Sequence, residues 1–401
     1  MSGGDKMYLI IGNGAAGIAA ATALRRLDKT TPITMLTREL GGFYSRIDLP
    51  DIIAGKLPRA AAEIKSPAAL AQLGIDYRTG EEVAAVCPAT RTVVCASGRR
   101  YRYSKLLIAT GSQPVKPAWP GIDAEGVYTL WTLPQAAAIT AYAEASQAAV
   151  GIGAGLIGLK TALALRYRGL KVTVVEQQPH ILPRQLDGGA ATIVARALKD
   201  AGIEILTEAT VKGLAVEDGK VCQVEINGKL LECSLVVIAV GVRPQAELAE
   251  AAGLKVGRGI QVDKYMQTSA PEIYAAGDVA EVYDRLTGQR VVPATWPMAV
   301  EQGEIAAYNM VGWRRPFTGS INLNSVEIAG IPIVSAGDVN GALTDDVYIW
   351  QTDHAYRKVV MHRGKVKGVL LLGDIRQAGV VINLMAKQTE LAGRTWPLTA
   401  N

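Results

Sequence analysis

The sequence predicts an α/β protein with two Rossmann-like dinucleotide-binding domains and a smaller C-terminal α+β domain. Residues 6–39 and 148–177 share one design: an apolar strand, a GxGxxG turn, an Ala/Leu-rich helix and a second, β-branched strand. This pattern is typical of a βαβ unit, in which the strands are parallel and the glycine turn follows the first strand. One GxGxxG is a weak signal. Two copies in the same context indicate two bound nucleotides, either two cofactors or one cofactor and one nucleotide substrate.

The segments that follow the two βαβ units also resemble each other. Residues 81–109 and 206–240 both contain short alternating strands, and both lead into an apolar strand and a glycine, within "LLIATGSQP" and "LVVIAVGVRP". The internal duplication is therefore about the size of a whole domain. Pro-rich stretches at residues 114–120 and near Pro244 are candidate linkers.

The pattern changes again from about residue 319. Strands are expected within "SVEIAG", "IPIVSAGD" and "RKVVMHRGKVKGVLLLGD", and a terminal helix is expected near residues 376–389. These elements predict a third, smaller α+β domain. The expected domains are a split first domain (1–112 and 243–318), a second domain (113–242) and a C-terminal domain (319–401).

Composition and charge limit the binding partners and the cellular location that we expect for the chain. The chain has 401 residues, of which 49% are apolar and 20% charged, and its net charge is +5. No basic face is interleaved with aromatic residues, so we expect no nucleic-acid partner. The small positive excess suits an acidic protein partner or plain solubility. The apolar run "MYLIIGNGAAGIAAATAL" is rich in glycine and fits a strand, turn and helix rather than a signal or a membrane span, so we expect a cytoplasmic chain.

The cysteines offer neither a redox motif nor a metal site. Asn227-Gly228 predicts a two-residue hairpin turn, which places Cys222 opposite Cys233. A disulfide is then geometrically allowed, whereas a cytoplasmic location favours reduced, packed thiols. None of the cysteines forms CxxC or CxxxxC, and no metal-ligand set is present; they are Cys87, Cys95, Cys222 and Cys233.

Five motifs carry a resemblance to a known family: "IIGNGAAGIAAA", "LLIATGSQPVKP", "GIGAGLIGL" with "VTVVE", "LVVIAVGVRP" and "TSAPEIYAAGDVAEV". Over essentially its whole length the chain resembles the flavoprotein reductases related to the pyridine nucleotide–disulphide oxidoreductases. "FYSRIDLPDIIAGK", "ATWPMAVEQGEIAAYNM" and "GVLLLGDIRQAGVVINL" are similar to the branch of rubredoxin and ferredoxin reductases and the amino-terminal part of the nitrite reductase large subunit. The resemblance implies domains of the three-layer ββα type. The first domain would hold FAD, the second NAD(H), and the C-terminal domain would form an interface.

The resemblance implies a set of FAD-binding residues. The glycines of the first turn would let the backbone approach the pyrophosphate at a helix N-terminus. The family usually ends the second strand with an acidic residue that holds the ribose; here Thr37 stands there, and either Thr37 or Glu39 would do this work. Asp278 would take a ribityl hydroxyl, cap a helix, or both, and Trp296 would pass the flavin or only pack. The full set is Gly12, Gly14, Ala15, Ala16, Gly17, Thr37, Arg38, Glu39, Arg46, Val83, Ala109, Thr110, Gly111, Gly277, Asp278, Thr295 and Trp296.

The second turn would hold the nicotinamide dinucleotide. Glu176 ends "VTVVE", where a carboxylate accepts both ribose hydroxyls. A 2′-phosphate would bring two anions together, and neither Gln177 nor Gln178 supplies a cation, so we expect NADH rather than NADPH as the donor. The implied residues are Gly153, Gly155, Leu156, Ile157, Gly158, Glu176, Gln177, Val240 and Gly241.

The family's thiol relay is missing. Phe43 stands near the position where single-cysteine relatives carry their cysteine, and His180 is interpreted as structural. The resemblance therefore implies an NAD(H):acceptor reductase whose flavin passes electrons directly to a one-electron protein carrier: a ferredoxin, a rubredoxin or an acidic iron–sulphur subunit. A homodimer or a hetero-complex would form through the C-terminal domain. The alternatives are an NADH oxidase or diaphorase acting on oxygen or quinones, and a redox-sensing protein that binds FAD and NADH.

Three charged residues are the candidates for direct action at the flavin. Arg46 matches an arginine beside the flavin ring, where it would stabilise the reduced anion; a surface salt bridge is the alternative. Lys160 stands where the family usually has Glu, and Asp51 stands where it usually has Lys. This double reversal predicts an ion pair between Lys160 and Asp51. In the alternative interpretation, Lys160 lines the NADH cleft and Asp51 caps a helix.

Overall fold

The computed structural model describes residues 6–391. The chain divides into two compact units. Unit 1 comprises Met1–Ser45, Ala60–Gln113 and Val242–Ser320, and unit 2 comprises Arg46–Arg59, Pro114–Gly241 and Ile321–Asn401. The chain leaves unit 1 at the Pro-rich stretch and returns to it just before Pro244, where the sequence shows its candidate linkers. The outermost residues of the expected first and C-terminal domains, 1–5 and 392–401, lie outside the described part.

The strands of the described residues are, in chain order, β1 (Tyr8–Ile11), β2 (Ile33–Thr37), β3 (Phe43–Tyr44), β4 (Glu63–Lys65), β5 (Ile75–Thr79), β6 (Val83–Cys87), β7 (Thr92–Cys95), β8 (Arg100–Arg102), β9 (Lys105–Ile108), β10 (Ser112–Pro114), β11 (Val127–Thr129), β12 (Ala148–Ile152), β13 (Lys171–Val175), β14 (Ile203–Leu206), β15 (Val211–Glu217), β16 (Lys220–Ile226), β17 (Lys229–Glu232), β18 (Leu235–Ile238), β19 (Val242–Pro244), β20 (Ile260–Gln261), β21 (Ile273–Ala275), β22 (Ala280–Tyr283), β23 (Arg290–Val291), β24 (Leu323–Ile328), β25 (Ile331–Gly337), β26 (Asp346–Gln351), β27 (Tyr356–His362) and β28 (Lys365–Leu372).

The α-helices are α1 (Ala15–Leu27), α2 (Leu49–Ile53), α3 (Pro67–Gln72), α4 (Leu133–Glu144), α5 (Leu156–Tyr167), α6 (Gly188–Asp200), α7 (Glu247–Ala251), α8 (Trp296–Met310) and α9 (Ala378–Lys387). No helix within residues 6–391 is both long enough and apolar enough to cross a membrane.

Unit 1 is built on a five-stranded parallel sheet in the order β21-β9-β1-β2-β5. Its central strand β1 is buried along its whole length because its residues are all apolar. Helices α1 and α8 pack closely against each other. The antiparallel sheet β6-β7-β8 adds Val86 and Val93 to the same hydrophobic core as Leu9 and Ile10. Helices, parallel sheet and antiparallel sheet therefore form the expected ββα layers.

Unit 2 repeats this plan with the parallel order β11-β18-β12-β13-β14 and the antiparallel sheet β15-β16-β17. The duplication predicted from the sequence is confirmed. The hairpin prediction is confirmed as well: Asn227 and Gly228 have φ of 50° and 77°, and β16 and β17 pair with Gln223 opposite Glu232. The same register sets Cys222 beside Cys233, and both are free thiols.

The C-terminal part of unit 2 is an antiparallel sheet in the order β24-β25-β28-β27-β26, with α9 packed on β28. The predicted strands and terminal helix are present. Strand β26 was not predicted, because it is a largely exposed edge strand that buries no continuous apolar face. Tyr356 Oη and Lys358 Nζ of β27 donate to the Asp187 carboxylate, at 2.8 and 2.9 Å. Because Asp187 also caps α6, this sheet is joined to the second nucleotide-binding fold.

Residues 46–59 differ from the expectation that they belong with the first domain. Helix α2 packs against α4 and α5 of unit 2. The guanidinium of Arg168 donates to the carbonyl of Ile53, which holds the end of α2 on the same unit. Tertiary packing of this short helix overrides its position in the sequence.

Candidate nucleotide-binding sites

The glycine turn of unit 1 connects β1 to α1. Gly12 has φ of +107°, which favours glycine, and a Cβ there would overlap the carbonyl oxygen of Ala109. A Cβ on Gly17 would overlap the carbonyl oxygen of Gly12. A Cβ on Gly14, in contrast, would meet nothing within 4 Å. The outer glycines are therefore required by the fold, whereas the middle glycine faces open space.

This open space lies at the N-terminus of α1. Gly14 is the N-cap residue, no side chain caps the helix, and no acidic residue lies in the first turn, which begins with Ala15 and Ala16. The first N–H groups of the helix thus lack a side-chain acceptor, and the helix dipole is not neutralised. A pyrophosphate fits such a site.

Unit 2 contains the same arrangement. Gly153 has φ of +103°, and a Cβ on it would overlap the carbonyl oxygen of Ala239; a Cβ on Gly158 would overlap the carbonyl oxygen of Gly153. Gly155 again faces open space and is the N-cap of α5, without a side-chain cap or an acidic residue in the first turn. That turn begins with Leu156 and Ile157. Each unit thus presents one uncapped helix N-terminus at which a pyrophosphate fits.

The two units differ at the end of the second strand. In unit 2 the Glu176 carboxylate accepts from the backbone N–H of Ala154 at 2.7 Å and of Gln178 at 2.9 Å. Glu176 is only 9% exposed, and each carboxylate oxygen keeps capacity for a further hydrogen bond. Gln177 is exposed. The Glu176 carboxylate is therefore fixed beside the glycine turn by two backbone N–H groups.

In unit 1 a hydrogen-bond network of side chains stands at the end of the second strand, where unit 2 has the Glu176 carboxylate. Thr37 Oγ1 donates to Asn13 Oδ1 at 3.1 Å, Asn13 Nδ2 donates to Tyr77 Oη at 2.8 Å, and Tyr77 Oη donates to the carbonyl of Gly41 at 2.9 Å. The N–H of Glu39 donates to Thr37 Oγ1 at 3.2 Å. Neither Asn13 nor Tyr77 is among the residues predicted from the sequence. The two glycine turns differ at one inner position, where unit 1 has the polar Asn13 and unit 2 has Ala154. This difference is the sequence signal that could have identified Asn13.

Glu39 follows this network. Its carboxylate accepts a hydrogen bond from the hydroxyl of Tyr44, in β3. Glu39 is half-buried, whereas the neighbouring Arg38 is exposed. Thr37 and Glu39 were the two candidates for the ribose at the end of β2. Of these two, Glu39 has a carboxylate, and the Tyr44 hydroxyl holds it in place.

The remaining FAD candidates of unit 1 gather around two turns. Gly111 has φ of +71° and its carbonyl accepts from the N–H of Gln245, while Thr110 Oγ1 donates to the carbonyl of Gln245 at 2.8 Å. Ser112 Oγ donates to Asp278 Oδ2 at 2.9 Å, which orients that carboxylate. Gly277 has φ of +83°. The interpretation of Asp278 as a helix cap is wrong, because the turn at 277–279 leads into β22 and not into a helix.

Two aromatic residues of unit 1, both named in the sequence analysis, pack against each other. The rings of Phe43 and Trp296 stack with their centroids 5.4 Å apart. Trp296 begins α8 after its N-cap residue Thr295. Val83, the adenine candidate, is the first residue of β6 and is 9% exposed.

Arg46 and the end of β18 lie in unit 2. The Arg46 guanidinium donates to the carbonyl of Trp131 and lies over the Trp131 ring, 5.6 Å from its centroid. Val240 is 40% exposed. Gly241 has φ of +127°, and its carbonyl accepts from the N–H of Val115 at 2.9 Å.

The predicted ion pair between Lys160 and Asp51 is wrong as a direct contact. Lys160 lies half-buried on α5 and Asp51 is exposed on α2. Although the two helices pack together, no ion pair joins these residues in the described part of the chain. Asp51 is not a cap either; the N-cap of α2 is Asp48, and Asp51 lies inside the first turn, where a negative charge is favourable without a partner.

A metal ion or a reactive thiol within residues 6–391 would offer a further redox centre. No group of His, Cys, Asp and Glu there is arranged to hold a metal ion. Burial raises the pKa of the Cys95 thiol to about 11 and of the Cys233 thiol to about 12, so both stay protonated near neutral pH. His180 Nδ1 lies 3.0 Å from the carbonyl of Ile181, a local contact consistent with a structural role.

Comparison with known proteins agrees with this geometry. The family model of the pyridine nucleotide-disulphide oxidoreductases matches residues 6–303. The model of the rubredoxin NAD+ reductase C-terminal domain matches residues 323–389. Together the two models cover both nucleotide-binding folds and the C-terminal sheet.

Individual proteins match nearly the whole chain. This chain is 35% identical over 396 residues to an NADH oxidase from Methanocaldococcus jannaschii. The match covers 92% of this chain and 88% of the relative. It is 32% identical over 391 residues to the assimilatory nitrate reductase electron transfer subunit of Bacillus subtilis, covering 96% of this chain and 50% of the relative, so it spans about half of that protein. A ferredoxin reductase from Rhodopseudomonas palustris has a similar structure, with a TM-score of 0.88, 25% identity and 98% of each chain covered. The chain therefore belongs to the pyridine nucleotide–disulphide oxidoreductase family and is an NAD(H)- and FAD-dependent oxidoreductase.

Proposed function

We propose that the chain moves electrons between NAD(H) and a one-electron protein carrier through FAD, with FAD in unit 1 and NAD(H) in unit 2. The observation that carries this proposal is the pair of uncapped, glycine-lined helix N-termini, of which only the one in unit 2 has a buried carboxylate beside it. When bound, FAD supplies the chemistry of accepting hydride and releasing electrons one at a time.

The residues of unit 1 bind and orient the cofactor. The N–H groups at the start of α1 hold the pyrophosphate. Thr37 has already given its hydroxyl hydrogen to Asn13 and accepts from Glu39 N–H, so it has little capacity left. We therefore assign the ribose hydroxyls to the Glu39 carboxylate and give Thr37 a supporting role. The Asp278 carboxylate, oriented by Ser112, accepts a hydrogen bond from a ribityl hydroxyl.

In unit 2, Glu176 selects the donor. Its carboxylate is fixed by Ala154 and Gln178 and accepts the two hydroxyls of the nicotinamide dinucleotide's adenosine ribose. A 2′-phosphate in the same place would be repelled. The proposed donor is thus NADH.

Electrons leave without a cysteine relay. Phe43 stacks on Trp296 near the relatives' cysteine position, and the thiols of Cys95 and Cys233 are held protonated by burial. The proposed acceptor is an acidic rubredoxin-type or iron–sulphur protein, consistent with the chain's net charge of +5. The role of Arg46 at the flavin stays a prediction.

The C-terminal sheet is the proposed interface with a second copy or with an acceptor subunit. Its edge strand β26 exposes Val347, Tyr348 and Ile349, and an unpaired edge is a template for association. Light scattering of the purified chain, alone and with rubredoxin, distinguishes the two. The proposed compartment is the cytoplasm, where the free thiols stay reduced.

Stopped-flow spectroscopy tests the proposed function. NADH should bleach the flavin of the holoprotein under anaerobic conditions, and a rubredoxin or ferredoxin should restore the absorbance faster than oxygen does. A second candidate, NADH oxidase, is favoured by the relative that carries that name. Reoxidation by oxygen that exceeds reoxidation by every protein carrier would support the oxidase and contradict the proposal.

A further inference from the structure

Gln302 is a buried amide in the middle of α8. Its side chain is 0% exposed. Its Oε1 accepts the backbone N–H of Gly277 at 2.8 Å. Its Nε2, within the described part of the molecule, has no hydrogen-bond partner. A buried donor without an acceptor is unfavourable, so this side chain requires an explanation beyond packing.

The amide lies where three segments of unit 1 meet. A Cβ on the next residue, Gly303, would overlap the carbonyl oxygen of Ala16, so α8 crosses α1 at its first turn. A Cβ on Gly277 would come within 2.9 Å of the Cβ of Ala16. Gln302 is thus next to the helix N-terminus that faces the open space beside Gly14.

The hydrogen bond to Gly277 fixes the orientation of the amide. Turning the amide over would set its NH₂ group against the N–H of Gly277, two donors facing each other. Oε1 must therefore accept, and Nε2 is left as a donor. Gly277 immediately precedes Asp278, whose carboxylate accepts a hydrogen bond from Ser112 Oγ at 2.9 Å. The Gln302 bond consequently holds the Ala276–Gly277 peptide, one residue before Asp278.

We infer that Gln302 is a positioning residue of the FAD site, a role that rests on the function proposed for unit 1. Its carbonyl fixes the Gly277–Asp278 turn. Its amide hydrogens donate to an acceptor that enters with the cofactor, either a cofactor oxygen or a water that the cofactor orders. The cofactor-bound state satisfies the buried donor, and the cofactor-free state does not.

The test compares Gln302→Met with a matched control on the same helix. Asn309 is also buried on α8, and its side chain bonds to the carbonyls of Ile305 and Arg315 and to the N–H of Arg315. Asn309→Leu removes these three hydrogen bonds of another buried amide, at the C-terminal end of the helix. Each purified full-length holoprotein is diluted serially, and released FAD is measured by its fluorescence to give the dissociation constant.

Gln302→Met should bind FAD about tenfold more weakly than the wild type, with an altered flavin absorption spectrum. Asn309→Leu should lower the melting temperature but keep the FAD dissociation constant within about twofold. If Gln302→Met fails to fold, Gln302→Glu, which keeps the acceptor and loses the donor, should show the same weakening. Unchanged FAD binding in the Gln302 variants, or equal weakening in Asn309→Leu, would overturn the inference. A wild-type chain that binds no FAD would overturn the proposed function as well.

Discussion

Replacement of Glu176 by Gln tests the assignment of unit 2 to NADH. The Glu176 carboxylate is 9% exposed and is fixed by two backbone N–H groups. A 2′-phosphate about 4 Å away would experience a repulsion of about 4 kcal/mol at an effective dielectric constant of about 20. Screening by solvent and salt reduces this to about 2 kcal/mol, which corresponds to a preference for NADH of about 30-fold.

The assay is the ratio of kcat/KM for NADH and NADPH with a saturating artificial acceptor. The wild type should prefer NADH by about 30-fold, and Glu176→Gln, which removes the charge and keeps the shape, should lower this ratio by about 30-fold, to near one. Glu204→Gln is the control, because Glu204 lies in the same sheet and accepts from Thr173 away from the glycine turn. A wild type that prefers NADPH, or a ratio that Glu176→Gln leaves unchanged, would refute the reasoning.

Three further predictions follow from the geometry. The added methyl of Gly14→Ala meets no atom within 4 Å, so the melting temperature of the FAD-free protein should change little. FAD binding should weaken by about tenfold, because the methyl enters the phosphate site. A large drop in the melting temperature of the FAD-free variant that accompanies the weaker FAD binding would contradict the open phosphate site. Glu39→Gln should weaken FAD binding more than Thr37→Val does; the reverse order in titrations would assign the ribose to Thr37. Burial alone would raise the pKa of Asp187, but hydrogen bonds led by that from Lys358 lower it below 3.8. The contribution of this pair to the free energy of unfolding should therefore be present above about pH 4 and lost as the pH falls further. Lys358→Met should cost about 3 kcal/mol in urea unfolding at neutral pH, and a cost that is equal at pH 7 and pH 2 would contradict the pairing.

The sequence predicts the parts of the fold that follow from local patterning. Strand–glycine–helix units predict both parallel sheets, and Asn227-Gly228 predicts a hairpin whose register is observed. Helix α2 shows the limit of such patterning. Its five residues have no independent stability, so their packing partners decide which unit they join.

Side-chain partners were harder to predict. The reversed charges of Lys160 and Asp51 indicate a pair, but sequence offsets on two separate helices do not fix where either side chain ends. Tyr77 reaches Asn13 from a strand 64 residues away in the chain. Gln302 looks like an ordinary polar residue in the sequence, and only its complete burial and its bond to Gly277 show that it belongs to the site.

The most direct test of the proposed electron path is anaerobic double-mixing stopped-flow on a chain whose four cysteines are replaced by alanine. NADH should reduce the FAD of this variant, and rubredoxin or ferredoxin should then reoxidise it, both at rates within about twofold of the wild type. A variant that keeps its FAD and is reduced by NADH but no longer passes electrons to the carrier would contradict the account, because a thiol would then lie on the path.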